Sequence, residues 1–338
     1  MVTCVVTGGA GFIGSHFVKH LLARYPDYQV VNFDKLTYAG NLDNVREVAD
    51  DPRYRFVQGD VADETAVRDV LEGADYVVHF AAETHVDRSI GDAASFIRTD
   101  VFGTYVLLEA FREMGGRRFL CISTDEVYGE AGDEPSGEDS PLMPKSPYAA
   151  SKAGAERLAY SYWITYGVPL VVTRCTNNYG PYQYPEKMIP LFVTNALEGE
   201  PLPVYGDGAN TRDWINVSDH CNALDALLHT EGIEGEVFNI GSGEEKSVNE
   251  IAQAICAALD KPSDLIRYVT DRPGHVLRHA VSTEKLRALL GWEPAVAFDK
   301  GLVATIRWYV DNPWWWKRIK SGEYLEYYRH QYEERGSA

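Results

Sequence analysis

The segment VTCVVTGGAGFIG, residues 2–14, decides the fold class of this chain of 338 residues. Its first half, Val2–Thr7, is a short and largely apolar run that is typical of a buried strand. Three glycines then recur at every third position: Gly8, Gly11 and Gly14. An amphipathic pattern begins at about Ile13 and ends at about Tyr25, so strand, glycine turn and helix follow one another. This order predicts the first unit of a doubly wound α/β sheet.

Further short apolar runs alternate with longer helical patterns. The strand candidates are Gln29–Phe33, Arg55–Gln58, Tyr76–Phe80, Arg118–Ser123, Pro169–Thr173 and Val237–Ile240. The helix candidates are Glu64–Leu71, Ser95–Met114 and Ala149–Tyr166. Because the strands are apolar throughout rather than alternating, both faces of the sheet should be covered. We therefore predict an α/β protein with a Rossmann-type doubly wound parallel sheet.

The sequence pattern changes beyond Asn178, where prolines become frequent and the predicted loops become longer. This predicts a smaller mixed α/β C-terminal lobe that binds substrate. We expect a dinucleotide-binding domain over residues 1–177, with 215–241 returning to it, and a lobe made of 178–214 and 242–338. The aromatic and charged stretch Trp308–Tyr328 should pack this lobe through its three adjacent tryptophans, Trp314, Trp315 and Trp316. A partner surface is the alternative.

Composition excludes several classes of function. The formal charge of −18 disfavours binding to nucleic acid. The five cysteines are scattered and lack C-x-x-C spacing, so neither a disulfide framework nor a metal site is expected. No signal peptide and no long apolar run is visible. We expect a soluble cytoplasmic protein with no membrane partner.

The glycine segment indicates a dinucleotide site. Gly8 permits a tight turn, Gly11 lets the backbone approach a pyrophosphate, and Gly14 lets the helix pack close to the strand. The phosphate charge would face the free N–H groups at the helix start. A turn without a ligand is the minor alternative.

Asp34 ends the second predicted strand, 20 residues after Gly14. A carboxylate there accepts hydrogen bonds from a ribose and repels a 2′-phosphate, which favours NAD over NADP. Asp60, just after the next strand, is a candidate for the adenine edge. Either residue could instead be an ordinary turn aspartate.

Tyr148 and Lys152 are four residues apart in a helical segment and therefore share a face. The lysine charge should lower the pKa of the tyrosine, so that a phenolate takes a proton from a substrate alcohol. Such a pair also occurs by chance on many helices.

Thr124, Asp125 and Glu126 follow another predicted strand, at the edge of the sheet where ligands bind. Thr124 can bind the same substrate hydroxyl. Two adjacent carboxylates are costly there unless they are solvated or used. An elimination uses both, one as acid and one as base, whereas simple hydride exchange needs neither. A pair that faces water is the alternative.

With these motifs the chain resembles the extended short-chain dehydrogenase/reductases and, among them, the dTDP-glucose 4,6-dehydratases. The resemblance rests on Gly8–Gly14, Leu36–Asn41, His79–Glu83, His85–Ser89, Thr124–Gly129, Tyr148–Lys152, Asn177–Gln183 and Arg212–Trp214. It implies conversion of dTDP-glucose to dTDP-4-keto-6-deoxyglucose, in deoxysugar biosynthesis. In that cycle Tyr148 takes the 4-hydroxyl proton, Glu126 removes the C5 proton and Asp125 protonates the departing 6-hydroxyl.

The resemblance also implies a set of binding residues. Those for NAD are Gly8, Gly11, Phe12, Ile13, Gly14, Asp34, Lys35, Thr37, Gly40, Asp60, Val61, Ala81, Ala82, Thr99, Tyr148, Lys152 and Asn178. Those for the nucleotide sugar are Glu83, Arg88, Thr124, Asn177, Lys187, Arg212, Asn249, His275 and Arg278. One departure concerns residues 276–279, where Val-Leu-Arg-His replaces an aspartate and a tyrosine that the family usually carries. Thymidine is favoured as the base, and uridine or another base stays open.

Two other functions stay open. A sugar-nucleotide 4-epimerase or decarboxylase shares the glycine loop and the Tyr148/Lys152 pair but does not need Asp125 and Glu126 as acid and base. An NAD sensor would need no proton acceptor at all. The resemblance further implies a homodimer through the helices Ser95–Met114 and Ala149–Tyr166.

Overall fold

A computed structural model describes residues 1–321 together with Tyr324 and Tyr328. The strands are β1 Val2–Thr7, β2 Tyr28–Asp34, β3 Tyr54–Gln58, β4 Tyr76–His79, β5 Arg118–Thr124, β6 Leu170–Cys175, β7 Asn177–Tyr179, β8 Leu202–Tyr205, β9 Thr211–Asn216, β10 Val237–Ile240, β11 Glu245–Ser247, β12 Ile266–Val269 and β13 Arg278–His279. The helices are α1 Phe12–Arg24, α2 Glu64–Leu71, α3 Val86–Gly91, α4 Ala93–Phe96, α5 Gly103–Met114, α6 Pro147–Tyr166, α7 Met188–Glu198, α8 Val217–His229, α9 Val248–Ala258, α10 Glu284–Leu290, α11 Phe298–Asp311 and α12 Pro313–Ile319.

Seven parallel strands form the main sheet, in the order β10-β6-β5-β4-β1-β2-β3. Both faces are covered, one by a core that includes Phe17 of α1 and Leu224 of α8, the other by a core that includes Val67 of α2 and Leu107 of α5. The predicted doubly wound fold is confirmed. Strand order reverses between β1 and β4, and this switch point is where such sheets bind their ligands.

The smaller part of the molecule contains two short sheets. In one, β9 pairs with β7, β11 and β13, and in the other β8 pairs with β12. These sheets pack with α7, α9 and α11 around their own apolar core. Strand β10 comes after β7, β8 and β9 in the chain, yet it pairs with β6 in the main sheet. The lobe is therefore interleaved with the main sheet rather than appended to it.

Two local predictions need correction. The helix predicted over Ser95–Met114 is interrupted by a wider π-helical stretch, Ile97–Phe102. In this stretch the buried Asp100 carbonyl accepts a hydrogen bond from Thr104 Oγ1 at 2.5 Å. Of the three adjacent tryptophans, Trp314 is 41% exposed and is not packed in the lobe, because it lies on the outer face of α12. Residues 322–323, 325–327 and 329–338 of the predicted C-terminal lobe lie outside the described residues.

None of the helices in the described part of the chain combines the length and the apolar composition needed to span a bilayer.

Candidate active site

The glycine loop has the shape that close packing at the switch point demands. Gly8 has a φ of 69°, and a Cβ there would come within 2.7 Å of the Ala81 nitrogen. A Cβ at Gly14 would lie 2.3 Å from the Gly8 carbonyl oxygen. Gly11 begins α1 without a side-chain cap, and the first turn of that helix carries no acidic residue. The first N–H groups of α1 are therefore suited to an anion such as a pyrophosphate.

Asp34 and Asp60 stand at the ends of β2 and β3, beside this loop. The Asp34 carboxylate accepts hydrogen bonds from the backbone N–H groups of Ala10 at 2.9 Å and Leu36 at 2.8 Å. Burial raises the pKa of Asp34. Asp60 accepts a hydrogen bond from Lys35 Nζ at 2.8 Å. Free helix N–H groups and a carboxylate one strand away fit the pyrophosphate and the ribose of NAD, and they disfavour a 2′-phosphate.

One cleft brings most of the predicted residues together. Every predicted cofactor-binding residue, from Gly8 to Asn178, lines it, and so do Thr124, Asp125 and Glu126. Of the residues predicted only for the nucleotide sugar, Glu83, Asn177 and Lys187 line it as well. The remaining five are not among its lining residues: Arg88, Arg212, Asn249, His275 and Arg278.

Tyr148 and Lys152 occupy the first two turns of α6, and both reach the cleft. Lys152 Nζ donates a hydrogen bond to the Ile122 carbonyl at 2.6 Å, which ties α6 to the end of β5. The pKa of Tyr148 lies well above its usual value, because of burial first and then the nearby charge of Glu126. The prediction that Lys152 lowers this pKa concerns one contribution among several, and it stays a prediction.

Asp125 and Glu126 lie in different environments although they are adjacent. Asp125 is 3% exposed, and burial, reinforced by the charge of Glu126, raises its pKa to about 8. Thr124 Oγ1 donates to Asp125 Oδ1 at 3.2 Å, while Oδ2 is buried without a hydrogen-bond partner among the described residues. Glu126 is less buried and also lines the cleft. Asp125 therefore keeps its proton near neutral pH, as a general acid must.

The three arginines predicted for the substrate are engaged within the chain. Arg88 donates to the buried carboxylate of Glu186 at 3.0 Å, and Arg278 makes two hydrogen bonds to Glu245 at 2.8 and 2.6 Å. Arg212 donates to backbone carbonyls, among them that of Val276 at 2.9 Å. These contacts hold loops around the cleft, and a role in binding phosphate stays a prediction for each arginine.

The last two predicted residues are also tied to loops of the lobe. Asn249 donates to the Asp207 carbonyl at 2.8 Å, and His275 Nδ1 lies 2.6 Å from a carboxylate oxygen of Asp271. The charges of neighbouring arginines and burial lower the pKa of His275, with burial as the larger cause. A role for either residue in binding substrate stays a prediction.

Two residues in or next to the cleft were not predicted from the sequence. Asp100, 1% exposed, accepts hydrogen bonds from Ser151 Oγ at 2.6 Å and from the Glu83 N–H at 2.9 Å. It links α6 to the segment after β4, and burial raises its pKa to about 6. Trp315 lines the cleft from α12. No sequence signal marks either residue, since an aspartate in a helical pattern normally faces water.

The chain matches the GDP-mannose 4,6 dehydratase family over residues 5–305. It is 53% identical to a dTDP-glucose 4,6-dehydratase of Streptomyces niveus, over 94% of this chain and 95% of the relative. The crystal structure of DesIV, a dTDP-glucose 4,6-dehydratase of Streptomyces venezuelae with NAD bound, superposes with a TM-score of 0.92 at 49% identity, covering 94% of this chain and all of that one. The corresponding enzyme of Bacillus anthracis, also with NAD, gives a TM-score of 0.88 at 47% identity over 95% of this chain and 100% of that one. The chain thus belongs to the GDP-mannose 4,6 dehydratase family of extended short-chain dehydrogenase/reductases, in which it is similar to the dTDP-glucose 4,6-dehydratases.

Proposed function

We propose that the protein is an NAD-dependent hydro-lyase that converts dTDP-glucose to dTDP-4-keto-6-deoxyglucose and water, a step of deoxysugar biosynthesis. One observation carries the proposal. The dinucleotide cleft presents two adjacent carboxyl groups of unlike environment, and the pKa of about 8 at Asp125 makes it the proton donor of the pair. The dTDP-glucose 4,6-dehydratases to which the chain is similar support the choice of reaction and of nucleotide.

The reaction needs three proton positions, and the cleft supplies a residue for each. Tyr148, which shares a hydrogen bond with Thr124, takes the proton of the C4 hydroxyl in its phenolate form, which the positive charges of Lys152 and of bound NAD would favour. NAD, when bound, accepts hydride from C4 and returns it to C6. The ketone at C4 acidifies the C5 hydrogen, and the Glu126 carboxylate removes that proton. Asp125 protonates the C6 hydroxyl as it leaves as water, and Glu126 returns its proton to C5.

The protons given and taken by the protein balance over one catalytic cycle. Asp125 has given one proton and Tyr148 has taken one, so exchange with solvent restores both residues. Lys152 does not move a proton in this scheme. Its hydrogen bond to the Ile122 carbonyl fixes α6 against β5, and this keeps Tyr148 next to Thr124. The cofactor ends in the oxidation state in which it began.

Mass spectrometry of the products tests the proposal. The purified protein is incubated with dTDP-glucose and, in parallel, with UDP-glucose. We expect a product lighter by one water from dTDP-glucose and no net formation of NADH. A product of unchanged mass with a new sugar stereochemistry would instead establish a 4-epimerase. Tight NAD retention without any turnover would indicate a sensor. Faster turnover of UDP-glucose would show a preference for uridine over thymidine, which the departure at residues 276–279 leaves open.

We further propose that the enzyme is a cytoplasmic homodimer. Its helices α5 and α6 pack side by side, and the surface they form with the π-helical stretch exposes large apolar side chains. Ile97 is 59% exposed, Ile164 62% and Tyr166 56%. Apolar side chains that are exposed together on one surface are typical of a protein–protein interface. A second copy of this surface is the partner that the family resemblance predicts.

Light scattering at several concentrations tests the dimer. Ile164→Glu should shift the mass toward that of a monomer, because a charge would be buried in the apolar interface. Val303→Glu is the matched control, since Val303 is 58% exposed on α11, away from these helices. A wild-type protein that stays monomeric at every concentration would remove the claim. Fractionation of cells that produce the protein tests its location.

A further inference from the structure

Helix α12 of the lobe contacts the 3₁₀ helix that lies next to the glycine loop. Trp315 is 2% exposed, and it lines the dinucleotide cleft although the glycine loop lies some 300 residues earlier in the chain. Its indole N–H donates a hydrogen bond to Asn44 Oδ1 at 2.9 Å. Asn44 belongs to the 3₁₀ helix Leu42–Val48, which packs on α1.

Asn44 also forms a hydrogen bond to the glycine loop. Its Nδ2 donates to the Ala10 carbonyl at 2.8 Å, and the Asn41 N–H donates to the same oxygen at 3.0 Å. The Ala10 N–H in turn donates to the Asp34 carboxylate at 2.9 Å. Both peptide groups of Ala10 are thereby held, at the centre of the turn that faces the pyrophosphate. Because Trp315 orients the Asn44 amide, it also orients the donor that holds Ala10.

Tyr182 reinforces the contact from the other side. Its ring lies 5.7 Å from that of Trp315 and 4.6 Å from that of Trp308, and its hydroxyl donates to Glu47 at 2.9 Å. Its φ of 65° is a left-handed conformation that a bulky residue adopts only where the surrounding packing enforces it. Tyr182 lines the cleft as well. The lobe thus packs against the 3₁₀ helix Leu42–Val48, next to the glycine loop, through aromatic rings and the hydrogen bond from Trp315 to Asn44.

We infer that Trp315 is a positioning residue that retains the dinucleotide, by holding Asn44 and with it the glycine loop in the shape that binds the pyrophosphate. The inference rests on the proposed function, in which the cofactor is regenerated in each cycle and has no need to leave. An enzyme of this kind gains from slow release, whereas a dehydrogenase that must exchange NADH for NAD does not.

The test measures release of NAD rather than activity. Protein loaded with radiolabelled NAD is chased with unlabelled NAD, and the dissociation rate is followed by rapid filtration. Trp315→Phe keeps an aromatic ring and removes the N–H, so Asn44 Oδ1 is left unpaired. One buried hydrogen bond of ordinary net strength corresponds to a rate about fivefold faster.

The neighbouring tryptophans supply matched controls. Trp316→Phe removes an equally buried indole N–H, but that group donates to the Tyr309 carbonyl inside the lobe, at 2.8 Å. Trp314→Phe changes the exposed face of the same helix. Both variants should release NAD at the wild-type rate. An equal increase in Trp315→Phe and Trp316→Phe would mean that the lobe is merely loosened, which would overturn the inference.

A second variant keeps the test decisive if Trp315→Phe does not fold. Asn44→Ala removes both hydrogen bonds and should release NAD at least as fast as Trp315→Phe. Wild-type release in the variant or variants that fold would refute the role of this contact. Failure of the proposed function looks different, because it appears in the product assay: the wild-type protein would then yield no product lighter by one water from dTDP-glucose, whatever its rate of NAD release.

Discussion

Replacement of Asp125 by asparagine should make the protein more stable while it removes activity. The carboxyl has a pKa of about 8 in the folded protein and an ordinary value of 3.8 in the unfolded chain. Its contribution to stability is therefore complete below about pH 4 and is lost as the pH rises toward 8. The loss is about 1.4 kcal/mol for each pH unit in this window, or about 4 kcal/mol at pH 7.

Asparagine has the same shape and cannot ionise, so the variant escapes this loss. We expect Asp125→Asn to raise the free energy of unfolding by up to about 4 kcal/mol at pH 7, and by only about 2 kcal/mol at pH 5. Turnover of dTDP-glucose should fall by about 10²–10⁴-fold, because an amide does not supply an acidic proton to the leaving hydroxyl. Stability and activity thus change in opposite directions at one position.

Urea denaturation of the wild type and the variant without NAD, at pH 5, 7 and 8, measures the first effect, and product formation measures the second. Glu126→Gln is the control. It removes the charge that helps to raise the pKa of Asp125, so it should show a smaller gain than Asp125→Asn. A gain that does not depend on pH, or a variant less stable than the wild type at all three values, would refute the reasoning.

Three further predictions concern the site and its support. Glu126→Gln should stop after oxidation at C4, so reduced cofactor should accumulate, which its near-ultraviolet absorbance would reveal; full turnover would exclude Glu126 as the base. Gly14→Ala places a methyl group 2.3 Å from the Gly8 carbonyl oxygen and should abolish NAD binding in calorimetry, whereas Gly11→Ala, with 3.2 Å to the same atom, should only weaken it. Asp225→Asn should cost about 2 kcal/mol of stability at pH 7, because Asp225 accepts hydrogen bonds from His20 at 2.9 Å and Tyr25 at 2.8 Å. Burial alone would raise the pKa of Asp225, but the hydrogen bonds from His20 and His229 lower it overall. The difference in urea denaturation should therefore shrink as the pH falls below the ordinary carboxyl value of 3.8 toward the lowered pKa.

The strands of the main sheet were predictable to within one or two residues. Because these strands are buried on both faces, each appears in the sequence as a continuous apolar run. Val237–Ile240 is an example in which the predicted and observed bounds agree. Helix α2 was equally clear, since a polar N-cap precedes an amphipathic pattern. The glycine spacing was enough to predict the dinucleotide cleft, because only a few residue types satisfy such close backbone contacts.

Properties that depend on tertiary contacts were not predictable in this way. Spacing places Lys152 beside Tyr148, but it says nothing of the desolvation that decides the pKa of that tyrosine. The π-helical stretch contains Asp100, which is buried against α6 through a contact between residues about 50 positions apart. The sequence pattern predicts Trp315 to be an ordinary core residue of the lobe. Its contact with Asn44 depends on how α12 packs, which the sequence does not show.

The late position of β10 affects how the protein is made. Strand β6 lies at the edge of the growing sheet until β10 covers it, and roughly 65 residues separate the ends of these two strands in the chain. At about 5–20 residues per second, a ribosome needs about 3–13 seconds to synthesise that interval. Throughout it, a nascent chain exposes an apolar edge that could pair with another copy. Production in cells should therefore depend on chaperones that bind during translation, and a gene truncated before residue 237 should yield aggregates rather than a smaller NAD-binding protein.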